Sequence, residues 1–389
     1  MAEKQQVKIH NKGDKPDNIV KKEYEITEKC RELELELPKF LAGFHRYLKG
    51  NVLPMTRLAY LYDIRFFCQY LVMERPDLTE AENIRDIKLS DFEKIRAVDI
   101  NMYIDYCRSY ERETDNVVYV YENNNKTLAK KKSSVSVMFK QLYRDELIST
   151  NITDGFDPIR VPKPGEREIK ALHDDEVMKM LDAVSAGTHL TDKERAFWEK
   201  TKLRDKAILI MFLTYGLRIS ELQQLNISSF NFQRGEFKIY RKRGKESIMP
   251  LNKSVTFVVQ DYINNERASE EKIEDEHKDA LFLSIQNKRM TERAIRDMTK
   301  KYTSIGMETA RKAGYSPHKL RATAATSLIG RGNSIFDVQA LLDHEQVTTT
   351  QLYAAHSQNV KRDLVKGMEW EIERTDGFYN PDEDDIFKK

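Results

Sequence analysis

The stretch SPHKLRATAATSLIGRGNSIFDVQALLDHEQVTTTQLYAAH, residues 316 to 356, constrains this chain more than any other. Ser316 suits a helix N-cap and Pro317 the first helical position, so the spacing predicts a helix from there. His318 and Arg321 stand three apart, on one face of that helix, near an end whose unpaired N–H groups favour an anion. A second helical run, Ile335 to Leu342, ends at His344, and a third from about Thr348 carries Tyr353. Packed together, these helices would gather a cation, two imidazoles and a phenol. That set suits attack on a phosphodiester by a tyrosine hydroxyl without a metal.

The rest of the chain must supply a scaffold. Its 389 residues are enough for two domains, and 33% charged residues indicate a very charged surface. No apolar run is long enough for a membrane span, and the N-terminus MAEKQQVKIHNKGDK lacks the apolar core of a signal peptide. Cys30, Cys68 and Cys107 are too few and too scattered for a disulfide framework or a zinc site, so a cytoplasmic protein is expected. The net charge of +2 hides an asymmetry. Eight acidic and three basic residues follow Met368, so residues 1 to 368 carry +7.

Residues 1 to 36 are polar and mixed in charge, and a flexible arm is expected, with a helix possible around Glu23 to Leu35. Residues 37 to 152 read as helical. In TRLAYLYDIRFFCQYLVM, Tyr60, Ile64, Phe67 and Leu71 recur at helical spacing, and Ser90 is expected to cap the helix or helices that follow. Glu111 to Asn125 reads as an insert or short hairpin. A further helix from Thr127 begins with Lys130, Lys131 and Lys132 opposite an apolar face of Val135, Phe139 and Leu142. Three prolines and two glycines make DGFDPIRVPKPGEREIK an extended linker.

The second half opens with a helix, Leu172 to Ala183, and a charged insertion, Gly187 to Lys200. An apolar helix from Leu203 breaks at Gly216. Ser220 and Gln223 are expected to box the start of the next, with Arg218 just before that cap. EFKIYRKRGKESIMPL reads as two short strands around a basic turn, in which Lys242 and Lys245 compete for a chemical role. A basic helix is expected from Ile295 to Lys312. After Tyr353 a helix is expected to run on to Arg374, its stripe of Val360, Leu364, Met368 and Ile372 followed by the acidic tail.

HKLR, a later His and a Tyr nine residues beyond it resemble the C-terminal signature of the tyrosine recombinases, the phage-integrase and Xer-type family. The frame TYGLRISEL and the basic hairpin extend the likeness to six positions in order: Arg218, Lys242, His318, Arg321, His344 and Tyr353. The fold class this implies is mainly α with a small β-hairpin or sheet. It is a two-domain clamp, with a helical core-binding domain (37–152), a linker (153–170), a mixed α/β catalytic domain (171–374) and an acidic tail (375–389).

The resemblance implies roles as well. Tyr353 attacks the phosphate and leaves a 3′-phosphotyrosyl link; Arg218 and Arg321 fork onto the non-bridging oxygens. Lys242, the better match to the family's hairpin lysine, protonates the 5′-oxygen. His318 relays the tyrosine proton, and His344 holds the phosphate. Arg57, Lys130, Lys131, Lys132, Arg243 and Lys245 are expected to meet DNA. One ester is exchanged for another, so neither cofactor nor metal is expected, and no GxxxxGK[ST] or HExxH occurs. The implied partners are a double-stranded recombination site and further copies of the chain, a dimer on a site and a tetramer in synapsis, with the C-terminal segment docking in trans. Integration or excision of a mobile element is the first reading and Xer-type chromosome-dimer resolution the second. A type IB topoisomerase or a DNA-binding protein without catalysis are the competitors. The chain departs from the family at Asp343, where glycine is usual, and at Ala322, where histidine or a similar polar residue is common.

Overall fold

The structure, a computed structural model, describes residues 13, 15–162, 170–241 and 244–343, together with two short strands near the C-terminus. It is mainly helical with small antiparallel sheets, and the chain divides into two compact units, Met1–Lys163 and Pro164–Lys389.

The first unit contains α1 (Asp17–Glu36), α2 (Ala42–Asn51), α3 (Pro54–Glu74), α4 (Leu89–Lys94), α5 (Ala97–Arg108) and α6 (Asn125–Arg144). Pro54 opens α3, where its missing N–H costs nothing. The expected stripe on α3 buries Ile64, Phe67 and Leu71, and that on α6 buries Val135, Phe139 and Leu142. Between them Phe67 meets Tyr103 edge-on at 4.9 Å, and Phe92 stacks on Phe139 at 5.7 Å. Such aromatic pairs add about 0.5–1.5 kcal/mol beyond the area they bury.

Within the arm expected at residues 1 to 36, the possible helix around Glu23 to Leu35 is present and runs longer, over residues 17–36. They form α1, which lies along α3 with Ile19, Cys30 and Leu33 buried and with Glu34 paired to Arg57. Three apolar residues and one ion pair spread over five turns are too sparse to mark, in so polar a stretch, that this helix docks on α3. Ser90 also lies inside α4 rather than capping it, with Lys88 at the N-cap. The insert after α5 is a hairpin, β1 (Ser109–Thr114) against β2 (Val117–Glu122), turned by Asp115 and Asn116 at positive φ. Asp and Asn tolerate that conformation, and a two-residue loop of this kind matches strand twist.

All three thiols are buried, and burial pushes Cys68 up to about 12 and Cys107 up to about 11. A buried thiol holding its proton is a poor nucleophile. The folded protein is therefore expected to resist iodoacetamide at pH 8 and to take up three equivalents once denatured. Fast labelling of the native chain would contradict this packing.

The second unit contains α7 (Asp174–Ala186), α8 (Asp192–Trp198), α9 (Lys202–Tyr215), α10 (Ile219–Gln223), the sheet β3 (Phe230–Asn231), β4 (Glu236–Tyr240) and β5 (Glu246–Pro250), then α11 (Lys253–Asn265), α12 (Glu292–Gly306), α13 (Pro317–Gly330) and α14 (Ile335–Leu342). The sheet is antiparallel in the order β3-β4-β5. Helix α9 is the axis: Ile208, Met211 and Phe212 are fully buried among α7, α11 and α13. Part of the expected charged insertion is the short helix α8, tied down by Trp198, whose indole N–H donates to the Val184 carbonyl at 2.8 Å. Near the C-terminus Glu373–Arg374 (β6) pairs with Gly377–Phe378 (β7), where a helix reaching Arg374 was expected.

Candidate active site

Helix α14 ends on three arginines. Arg241 donates to the Leu341 carbonyl at 2.7 Å, Arg321 to the Leu342 carbonyl, and Arg218 to the Asp343 carbonyl at 3.1 Å. A helix C-terminus carries partial negative charge on carbonyls that lack intrahelical partners, so guanidinium groups are stabilised there. Three distant stretches of sequence thereby meet on three consecutive carbonyls.

Each arginine reaches that point for a local reason. Gly216 ends α9 at φ +56, and a Cβ on it would come within 2.5 Å of the Leu342 side chain. Only glycine combines that backbone with that approach. The turn makes Arg218 the N-cap of α10, where the Glu221 carboxylate accepts from its backbone N–H at 2.8 Å and from its guanidinium at 2.7 Å. The box at this helix start is thus Arg218 with Glu221, displacing the expected Ser220 and Gln223. The helix begins two residues earlier than that reading allowed, at Ile219.

Arg321 sits one turn into α13, 3% exposed, and its guanidinium also donates to the Gly216 carbonyl at 2.6 Å. Its neighbour Ala322 is buried in the seam with α14, in one cluster with Ala325, Ile329, Val338 and Leu342. A histidine at 322 would be crowded into that seam, which accounts for the alanine. His318 is exposed on the first turn of the same helix.

Arg241 and Glu221 escaped the sequence reading. Phe237 and Ile239 point inward from β4, and period-two alternation carries the inward face on to Arg241. That signal was present but was hidden by the abundance of basic residues in the turn. Glu221 is 2% exposed and lies 4.0 Å from Arg241 as well as against Arg218. Burial pulls the Arg241 guanidinium below its ordinary value, and the nearby Glu221 and Asp343 carboxylates oppose that pull.

Lys245, on the β4–β5 turn, lies 3.2 Å from an Asp343 carboxylate oxygen, and Arg218 lies 3.9 Å from the other. Among the described residues, Arg218, Arg241, Arg321 and Lys245 face Glu221 and Asp343, an excess of two positive charges. Such a pocket suits a phosphodiester. Lys242, Arg243, His344 and Tyr353 lie outside the described residues.

The basic residues of the first unit divide differently. Lys130 is exposed on α6. Arg57 is buried against Glu34; Lys131 lies 3.7 Å from Asp63 and 4.0 Å over the Phe66 ring. Lys132 donates to the Phe156 and Asp157 carbonyls. These three brace their own unit.

The profile of the phage integrase family matches residues 170–359. Over 283 residues, the chain is 30% identical to tyrosine recombinase XerC of Natranaerobius thermophilus, covering 71% of this chain and 84% of that protein. Among solved structures, XerH site-specific recombinase bound to palindromic difH substrate, a post-cleavage complex, matches with a TM-score of 0.57 at 14% identity, over 88% of this chain and 93% of that one. The Tn1549 transposon integrase in complex with circular intermediate DNA matches with a TM-score of 0.54 at 19% identity, over 84% and 99%. At such identities the two structures speak for the fold, a two-domain one.

Proposed function

This chain belongs to the tyrosine recombinases of the phage integrase family, and on that premise we propose that it cuts and rejoins DNA at a specific site through a 3′-phosphotyrosine intermediate. The observation that carries the reading is the convergence of Arg218 and Arg321 on adjacent carbonyls, Asp343 and Leu342, at the residue before His344. Two scattered guanidinium groups held side by side form a fork for the non-bridging oxygens of one phosphate.

In this reading Tyr353 attacks the scissile phosphate in line, and the 5′-oxygen departs with a proton from Lys242. His318 takes or relays the phenol proton, and His344 donates a hydrogen bond to the phosphate. Arg218 and Arg321 meet charge that grows on the phosphoryl oxygens in the transition state. A phosphodiester becomes a phosphotyrosyl ester and then a phosphodiester again. The exchange is nearly balanced, so no ATP is consumed. Lys130 and Lys245 would contact flanking phosphates, which position the duplex without reading its sequence.

The partner is a double-stranded recombination site, bound by two copies of the chain, with four in synapsis and C-terminal segments exchanged. Integration or excision of a mobile element is the job we assign first. The identity to XerC favours chromosome-dimer resolution as a second reading. Sequencing DNA trapped on the tyrosine separates the two.

The reaction is tested with a nicked suicide duplex, from which the released strand diffuses away. Wild type is expected to accumulate a covalent protein–DNA adduct that survives denaturation, and Tyr353→Phe none. No wild-type adduct, or an equal one from Tyr353→Phe, overturns the reading.

A further inference from the structure

We propose that Asp343 is an internal anion that occupies the basic pocket until a DNA phosphate replaces it. This rests on the recombinase reading above and adds a residue that tunes phosphate entry. Asp343 closes α14 at φ 51 and ψ 53, a left-handed conformation in which a side chain is costly unless it is Asn, Asp or absent. Its carbonyl already serves Arg218. Its carboxylate does something separate: one oxygen lies 3.2 Å from Lys245 and the other 3.9 Å from Arg218.

Among the described residues, these are the two cations of the pocket that retain access to solvent. The Lys245 side chain is 70% exposed and that of Arg218 32%, whereas Arg241 and Arg321 are buried. An incoming phosphate therefore meets Lys245 and Arg218 first and finds them facing a carboxylate. Glu221 cannot play that part, because it is buried and bonded to the Arg218 backbone. Asp343 is half-buried and its bridge to Lys245 is of the weak, solvent-screened kind. It is loose enough to be displaced. Phosphate entry then transfers Lys245 from carboxylate to DNA, and the ammonium is held over the pocket meanwhile.

Asp343→Asn keeps the left-handed cap and the carbonyl and removes only the charge. Binding of an uncleavable duplex is measured across a salt series, beside adduct formation on the suicide duplex. In the variant Lys245 starts without its carboxylate, whereas in wild type salt also screens the bridge that must break. Its log K against log salt is therefore expected to steepen, by less than the roughly 0.9 of a newly neutralised phosphate because Lys245 reaches the same phosphate in both. At low salt its affinity is expected to rise about two- to five-fold, the value of one exposed ion pair. Lys245→Gln should then weaken binding more when combined with Asp343→Asn than it does alone, because in the double variant's parent the ammonium has no carboxylate to leave. A merely structural cap would lower affinity alike at every salt and would show no coupling to Lys245. An unchanged slope with an intact wild-type adduct overturns the inference alone. An absent wild-type adduct overturns the recombinase reading and the inference with it.

Discussion

Truncating Arg321 to alanine is expected to slow adduct formation by on the order of 10³–10⁵, the range associated with an arginine that meets transition-state charge on phosphorus. The size follows from position. Arg321 is buried, its side chain is fixed between the Gly216 and Leu342 carbonyls, and its charge acts where little water screens it. Arg321→Lys keeps a charge and loses the planar fork, so it should fall between wild type and alanine. Part of the alanine defect is structural. Two carbonyls lose a charged donor, at roughly 1–3 kcal/mol for each that stays dry, and the end of α14 loosens. Rates are therefore compared per folded molecule, well below each variant's melting point. A duplex with sulfur at the 5′-bridging position distinguishes roles further, since a thiolate leaves without a proton. It should rescue a variant lacking the general acid proposed above, Lys242→Ala, and leave Arg321→Ala slow. Retention of more than a tenth of wild-type rate by Arg321→Ala would remove the arginine from the chemistry.

What the sequence disclosed about this pocket depended on how local each signal was. Pro317 and the Ile335–Leu342 run announce their helices within a few residues, and both are found where expected. Gly216 announces a break, and the chain breaks there. The role of Glu221 was not local. A glutamate between Ser220 and Leu222 looks like a solvated helix residue until α10 is seen to turn it inward under Arg218 and Arg241. Arg241 was likewise one cation among several, distinguished only by strand alternation. Helix α1 was legible as a possible helix, but its polar composition conceals that one face is completed by α3, through Glu34 and Arg57. Patterns within an element are legible in the chain. Charges that are satisfied only by another element become visible once the elements pack.

Asp205→Ala is expected to produce the largest loss of stability outside the pocket, about 3–5 kcal/mol, the cost of leaving a buried charge without its partner. Asp205 is 1% exposed on α9 and accepts from Arg204 at 2.7 and 3.0 Å, from Tyr302 at 3.2 Å and from Thr201 at 3.3 Å, with Lys301 at 3.8 Å. Arg204 also donates to the Leu283 carbonyl at 2.8 Å, so the ion pair ties α9 to α12 through Asp205 and to the segment before it through Arg204. Burial pulls the Lys301 ammonium down and pushes the Tyr302 phenol up, and the ion pair at the centre is Arg204 with Asp205 at 2.7 Å. For a unit of this size the loss corresponds to a fall in Tm of roughly 6–20 °C, read by calorimetry. Replacing both members, Arg204→Met with Asp205→Leu, should recover part of it, because apolar pairs often match the stability of a buried ion pair. Adduct formation per folded molecule should stay near wild type in both, since Asp205 lies at the start of α9 and the Arg218 turn at its end. A single variant within about 0.5 kcal/mol of wild type, as for an ordinary surface substitution, would show that the core around α9 holds without this ion pair.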